Sequence, residues 1–364
     1  MTKKVIIYGT GSGGMLSAAY MRRVGFDVIA YTDRCEQSSF MGKPFIWRDH
    51  LHEMNYDYLC VESGCSEEVF SDLKRLGVPD IKIFSFEFFR KYNAFNLIDL
   101  QFEIFAPIAS QIEILFAGLS YTLHSIVFGQ VEKNSFCQAQ HGQDIYYTFQ
   151  LLKYSLENYN CGKLRHFVYM PAPYILHYDL TLSGAQWRDT SKYINKFGTH
   201  NLSEERIEYL RDACTIYGEQ DPLDIFRFLY QMQNNCHLNS WDTTIDTQET
   251  KIQCTDDYRK GYPATVRHNT ELLQQMLALL AKHDIEAHFI TPPASKEYRK
   301  HIARPQLVEE YNDTMSDLQQ EFDFHYYDYF ETDLFDESDF YLMGSHFNRK
   351  GATRFTAMVN DFCT

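Results

Sequence analysis

The tightest constraint on this chain is a glycine cluster, Gly9-Thr10-Gly11-Ser12-Gly13-Gly14, set between the β-branched run Val5 to Tyr8 and the helix-forming stretch Met15 to Met21. Strand, tight turn and helix in that order, followed after Gly25 by a second apolar strand at Val28 to Tyr31, specify a crossover and hence a parallel sheet. Gly9, Gly11 and Gly14 meet the G-x-G-x-x-G spacing. The first glycine permits the turn, the second admits a phosphate close to the backbone, and the third lets the helix approach the strand. A diphosphate would then rest beside Ser12 at the helix N-terminus, where free N–H groups favour an anion. Asp33 stands where a ribose-binding carboxylate is expected, about twenty residues beyond the glycines. Further strands are expected at Tyr58 to Val61 and Ile81 to Phe84, with a helix at Ser66 to Leu76 between them. The pattern stops near residue 90, so only half of a dinucleotide fold is present. NAD, a nucleotide, a nucleotide-sugar and an empty structural site all stay open at this point.

The chain has 364 residues, more than one hydrophobic core usually supports, so two domains are expected. A net charge of −15 without a Lys/Arg stripe excludes nucleic acid as a partner. Nine dispersed cysteines, odd in number and lacking any C-x-x-C pair, indicate neither a zinc ribbon nor a disulfide framework but reduced thiols. His166, His177, His237, His268, His283 and His288 show no ligand spacing, and no metal is expected. The sequence enters a strand at once without a basic and apolar leader, and no apolar run reaches ~18 residues, which points to the cytoplasm. The 16% aromatic share is high and suits either core packing or a surface for stacking rings.

A second source of chemistry lies further along. Ile112 to Gly118 reads as a buried strand that delivers Ser120 just past a glycine turn, with a helix able to begin at Tyr121. A serine so placed is exposed while the helix start stabilises developing negative charge, as a nucleophile requires. Near the other end, His346 lies in a loop directly before the amphipathic helix Thr353 to Phe362. An imidazole in reach of Ser120 would accept the hydroxyl proton and return it to the leaving group. The helix Asn269 to Lys282 and the strand Ile285 to Thr291 continue the α/β alternation.

Together these segments resemble the first and last blocks of the SGNH superfamily of serine esterases and acyltransferases, in the branch that adds or removes O-acyl groups on bacterial polysaccharides. Four further stretches, at 139–157, 164–183, 268–298 and 326–356, match its layout in order and character. The resemblance implies Ser120 as nucleophile, His346 as general base, and an oxyanion block at Gln140, Gly142 and Gln143. The family usually places an Asp three residues before the histidine, and here that position is Met343; Asp339 or Asp336 would substitute if the loop folds back. The segment 3–86 similarly resembles small Rossmann-like modules that precede enzymes of bacterial surface-polysaccharide assembly.

The expected architecture is therefore α/β: a partial Rossmann-like parallel sheet in residues 1–90, a linker at 91–111, and an SGNH-like, flavodoxin-like α/β/α domain at 112–364 with a helical insertion at about 184–262. Helices are expected in that insertion at Ser203 to Tyr217 and Pro222 to Gln233, and Trp187, Tyr193, Trp241, Tyr258 and Tyr262 are its candidates for stacking on a sugar. The activity implied is acyl transfer, acetyl above all, on a surface glycan or its nucleotide- or lipid-linked precursor. Implied partners are a saccharide or nucleotide-sugar substrate and membrane-associated polysaccharide-assembly enzymes, with a nucleotide, nucleotide-sugar or acyl-CoA as cofactor. The competing reading is a nucleotide-sugar-binding assembly protein whose esterase-like domain has lost activity. An NAD-dependent oxidoreductase fits less well, since the second half of a dinucleotide fold is absent.

Overall fold

Val5, Ile6, Ile7 and Tyr8 are all buried, and consecutive side chains of a strand are buried together only when both faces of its sheet are covered. The computed structural model describes the chain except for residues 1, 11–13, 15–16, 19–20, 23–24, 35–38, 41, 62–65, 79–81, 86–96, 185, 208–209, 211–243, 260–261, 342 and 364. Gly11, Ser12, Trp241, His237 and the expected helix at 222–233 lie outside the described residues, as does most of the one expected at 203–217.

The chain divides into two compact units, the first ending at Leu97 and the second starting at Ile98, with a stretch beginning at Glu205 belonging to the first. In the first unit, strands β1 (Lys4–Tyr8), β2 (Asp27–Thr32), β3 (Tyr58–Val61) and β4 (Ile83–Ser85) form one sheet in the order β2-β1-β3-β4. Every pairing in it is parallel. Ile6 and Tyr8 serve one core and Val5 and Ile7 the other. Helix α1 (Ser66–Arg75) lies between β3 and β4 in the chain. The sheet is parallel as the glycine turn requires, and β3 joins β1 on the side away from β2, so the chain reverses direction across the sheet between β1 and β3.

The second unit holds five parallel strands, β5 (Ile114–Gly118), β6 (Ser135–Cys137), β7 (His166–Met170), β8 (Glu286–Thr291) and β9 (His325–Asp328), in the order β9-β8-β7-β5-β6. This is the doubly wound, flavodoxin-like order, whose topological switch point falls between β5 and β7. Period-2 alternation splits its side chains between two cores. Leu115, Ala117, Phe167, Tyr169, Ala287 and Phe289 face one, and Ile114, Phe116, Val168, Met170 and Ile290 face the other.

Helices α2 (Leu97–Phe105), α3 (Ser120–Ser125), α4 (Ile145–Asn158), α5 (Thr247–Arg259), α6 (Pro263–Lys282), α7 (Gln306–Glu321) and α8 (Arg349–Phe362) belong with this sheet. Phe102 of α2, Leu151 of α4, Met276 of α6 and Met315 of α7 pack on the first face, and Leu123 of α3 and Phe355 of α8 on the second. Helix α6 begins six residues earlier than Asn269, at Pro263, a residue whose missing N–H costs nothing at a helix start. Among the described residues no helix is long and apolar enough to cross a membrane.

The expected linker at 91–111 is corrected by α2. Ile98, Phe102 and Phe105 recur at helical spacing, and all three are buried in the core of the second unit. Phe102 stacks on Tyr159 at 5.7 Å and Phe105 meets Phe136 at 4.9 Å. Interleaved Asp99, Gln101 and Glu103 break up the apolar pattern that would otherwise mark a core element. Phe102→Ala is therefore expected to destabilise the second unit by about 3–5 kcal/mol in denaturant unfolding, whereas a linker residue would leave the midpoint in place.

Candidate active site

Delivery of Ser120 depends on Gly118. It ends β5 with φ of +126°, where a Cβ would stand 2.8 Å from Thr122 Oγ1 and 2.9 Å from the Met170 carbonyl oxygen. Only glycine makes this turn without strain. Thr122 Oγ1 in turn donates to the Ala117 carbonyl at 2.9 Å, locking the first turn of α3 onto the strand end. Ser120 is the first residue of α3 and remains partly exposed, whereas Tyr121, Thr122 and Leu123 behind it are buried. Its position after β5 is the carboxyl edge of the sheet at the switch point, where ligands bind in open α/β sheets.

The histidine loop is pinned on both sides. Tyr341 N–H donates to the His346 carbonyl at 2.8 Å, Gly344 N–H to Tyr341 at 2.7 Å, and Ser295 N–H to Gly344 at 2.8 Å. Asn348 caps α8 by accepting from Gly351 N–H at 3.1 Å, and its amide donates to Ser338 and Phe340 carbonyls at 2.8 and 3.2 Å. These bonds hold His346 Nε2 at 2.9 Å from Ser120 Oγ, across 226 positions of sequence. The ring stacks on Tyr121 at 4.8 Å and meets His124 edge-on at 4.3 Å. Burial holds the imidazole pKa down at about 4, opposed only by the negative charge of Asp257.

The other ring nitrogen corrects the expected acid. Asp339 is wholly buried and pairs with Lys350 at 3.1 Å and with Arg354, and it accepts from Asp336 N–H at 3.1 Å. Asp336 caps the same short 3-10 turn through Ser338. Asp339 thus fastens α8 to its preceding loop, because two cations from α8 reach it before any imidazole does, and Asp336 braces the loop itself. At Nδ1 of His346 stands the hydroxyl of Ser345, 2.7 Å away. Ser345 is buried and in contact with the Tyr121 phenol, which also meets Tyr298, and Tyr298 donates to Asp257 Oδ2 at 2.7 Å. Gln253 donates to the same oxygen at 3.1 Å. Asp257, 2% exposed, is therefore the carboxylate behind the imidazole, reached through a chain of hydroxyls.

Sequence reasoning missed this group because Asp257 lies in α5, within the insertion, 89 positions before His346. The one available signal was an acid on a helix whose neighbours Cys254 and Tyr258 form an apolar stripe with it.

The expected oxyanion block separates into different environments. Gln140 is buried, its N–H donates to the Gly118 carbonyl at 3.3 Å, and its amide nitrogen Nε2 is buried without a hydrogen-bond partner. Gln143 is corrected: its amide donates to Thr148 at 3.0 Å and accepts from Tyr193 at 3.1 Å, so it braces α4. Gly142 has φ of +67° and lends its carbonyl to Tyr178 at 3.1 Å, which makes it a turn residue. The stacking candidates are corrected too. Tyr193 lies wholly buried on Tyr147 at 4.0 Å, Tyr258 is buried against Tyr174, and Trp187 is 8% exposed; among the described candidates Tyr262 alone is open, at 36%.

In the first unit, Gly9 has φ of +125° and a Cβ on Gly14 would run into the Gly9 carbonyl, as close helix–strand packing demands. Asp33 Oδ2 accepts from Thr10 N–H at 2.8 Å and Thr10 Oγ1 at 2.7 Å, and Oδ1 accepts from Arg34 N–H at 2.6 Å. The carboxylate expected on a ribose closes the glycine turn instead.

A family model described as C2185-like, N-terminal matches residues 1–84. No curated protein matches the chain. Among solved structures, the chain is similar to a Streptococcus pneumoniae protein assigned as a platelet activating factor, with a TM-score of 0.40 and 11% identity over 76% of this chain and 97% of that one. It is similar also to an assigned acylhydrolase from Bacteroides fragilis, with a TM-score of 0.37 and 11% identity over 72% and 96% of the two chains. A GDSL-like lipase from Bacteroides thetaiotaomicron overlaps with a TM-score of 0.37 and 9% identity over 75% and 98%.

Proposed function

We propose that the second unit is an SGNH-like acyl-transfer catalyst, an esterase or O-acyltransferase acting through Ser120. The observation that carries this reading is the 2.9 Å contact between Ser120 Oγ and His346 Nε2 at the switch point of a doubly wound sheet. With the Nδ1 proton donated to Ser345, Nε2 is left as the acceptor for the serine hydroxyl. His346 then takes that proton while Oγ bonds to the acyl carbon. The imidazolium returns it to the departing alcohol, and an acyl-serine remains for water or an acceptor hydroxyl to resolve. Two donors suit the oxyanion of the tetrahedral intermediate: the Ser120 N–H, which as the first residue of α3 has no intrahelical acceptor, and the unpartnered Gln140 amide.

The acyl group proposed is acetyl and the acceptor a saccharide hydroxyl or its nucleotide- or lipid-linked precursor, on the strength of the motif resemblance. A nucleotide, nucleotide-sugar or acyl-CoA at the glycine turn, a cytoplasmic site of action, and membrane-associated assembly enzymes as partners belong to the same proposal.

Incubation with an activated acetyl ester is expected to add one acetyl group to Ser120, seen by intact mass and peptide mapping. Ser120→Ala is expected to abolish both the adduct and turnover, and turnover persisting in that variant would remove the proposal. Since only the neutral imidazole accepts a proton, kcat/KM is expected to hold as pH falls through 6 and to drop near pH 4, where His346 titrates; an acid limb at the ordinary histidine pKa of about 6.5 would contradict the site's burial.

Asp257 is a positioning residue in this mechanism. Direct loss of a triad carboxylate costs about 10⁴ in kcat, and with hydroxyls interposed Asp257→Asn is expected to cost about 10–100-fold. The same variant removes the one charge that raises the His346 pKa, so the acid limb is expected to move to still lower pH. A rate loss without that movement would mark Asp257 as structural only.

A further inference from the structure

The opposite edge of the same sheet carries a second concentration of chemistry. His166 opens β7 and Glu286 opens β8, and the two are register partners. His288, two residues along β8, shares their face by period-2 alternation, and Cys363 reaches that face just beyond the end of α8. His166 Nδ1 lies 3.1 Å from His288 Nε2 and 3.2 Å from Glu286 Oε2, and His288 Nε2 is 3.9 Å from the same oxygen. One ring nitrogen of each histidine and the Cys363 sulfur lie within 4.8 Å of one another. Both histidines and the cysteine are buried, at 5%, 1% and 2% exposure.

We propose that His166, Glu286, His288 and Cys363 form a four-donor site for a zinc-like divalent cation. Tetrahedral zinc with bonds of about 2.0–2.3 Å sets its donors about 3.3–3.8 Å apart. The nitrogen and oxygen atoms already span that range to within a few tenths of an ångström. Relative to the two imidazole nitrogens the sulfur needs to close by up to about one ångström, within the reach of a side-chain rotation. Buried imidazoles are neutral, which is the ligating form, and a thiolate with two imidazoles selects zinc-like ions over magnesium or calcium. As the metal–sulfur bond forms, the Cys363 thiol releases its proton to solvent.

The surroundings orient the donors. His325 Nε2 bonds Glu286 Oε1 at 2.6 Å and leaves Oε2 for the cation. The His288 ring is stacked on His325 at 5.1 Å, and Tyr327 stacks on Phe362 at 4.3 Å, which sets the end of α8 on this face. Glu286 is 46% exposed and opens a route for the ion. Four protein donors leave no open coordination position, so the site is structural, tying α8 to β7 and β8.

The test is titration of the metal-stripped full chain with cobalt(II). The expected result is one equivalent bound, with the visible bands of tetrahedral cobalt and a thiolate-to-cobalt charge-transfer band, displaced by zinc. Zinc should also raise the thermal midpoint and a chelator lower it. Cys363→Ser should remove the charge-transfer band, and His288→Gln should weaken binding at least about 100-fold. Substituting the exposed His50 and His52 by Gln should change nothing. Should Cys363→Ser fail to fold, alkylation mapping of the wild-type chain decides, because bound zinc must then protect Cys363 above the other cysteines. Absence of a sulfur-ligated cobalt spectrum, its survival in Cys363→Ser, or its loss with His50 and His52 would overturn the site and leave a hydrogen-bonded His-His-Glu cluster.

Discussion

A parallel sheet covered on both faces has nowhere to put chemistry except the ends of its strands. In the second unit the strand centres are committed, with Leu115, Phe167 and Phe289 wholly buried in one core and Phe116, Val168 and Ile290 in the other. Polar side chains therefore collect at the two edges. At the carboxyl edge, Gly118 turns the chain sharply enough for Ser120 to stand free of the β5–β7 pair, and the loop before α8 brings His346 to it. At the amino edge, His166, Glu286, His288 and His325 line up along one face because each sits at or two residues past the start of its strand. Helix α8 joins the two edges: Asn348 fixes its beginning beside the histidine loop, and Cys363 follows its end. A change in the seating of this helix acts on both places.

The imidazole in such a crevice meets two opposing demands. Packing against Tyr121 and His124 seats the ring firmly but disfavours the protonated form that the proposed acyl transfer passes through. An adjacent carboxylate would relieve this directly, yet Met343 stands three residues before the histidine and Asp339 is held by Lys350 and Arg354. The chain instead keeps its negative charge on Asp257 and connects it through Tyr298, Tyr121 and Ser345. Hydroxyls both donate and accept, so the row orients the ring and passes partial charge along without placing a carboxylate against it. The Coulomb effect weakens with distance, so burial prevails and the His346 pKa stays low. The site thus retains tautomer control while giving up much of the support for the imidazolium.

What the sequence made legible follows from locality. A βα turn is written in contiguous residues, so the parallel sheets, Ser120 after Gly118 and His346 before α8 could be read directly. Groups whose role comes from tertiary proximity could not. Asp257 reaches the imidazole only after a long insertion folds back, and Asp339 looked suitable only until the cations of α8 were placed beside it. His166, His288 and Cys363 show no ligand spacing because strand register and helix packing, not chain order, bring them together. Tyr193 and Tyr258 suit a stacking surface or core packing equally in the sequence, since nothing in it separates a ring buried against Tyr147 from one facing a sugar. Helix α2 was hidden by its own polar residues, Asp99 and Glu103 alternating with the apolar side that Phe102 and Phe105 bury.

The glycine turn of the first unit shows how one motif can answer two needs. Close packing of Gly14 on the Gly9 carbonyl and the positive φ of Gly9 are requirements of the fold, whatever the turn holds. Asp33 meets a third requirement, because it supplies the Thr10 N–H with an acceptor from within the protein. With that carboxylate accepting from both the N–H and the hydroxyl of Thr10, the end of β1 is tied to the end of β2 from within the protein. An incoming anion would have to approach a negative group already occupying those donors.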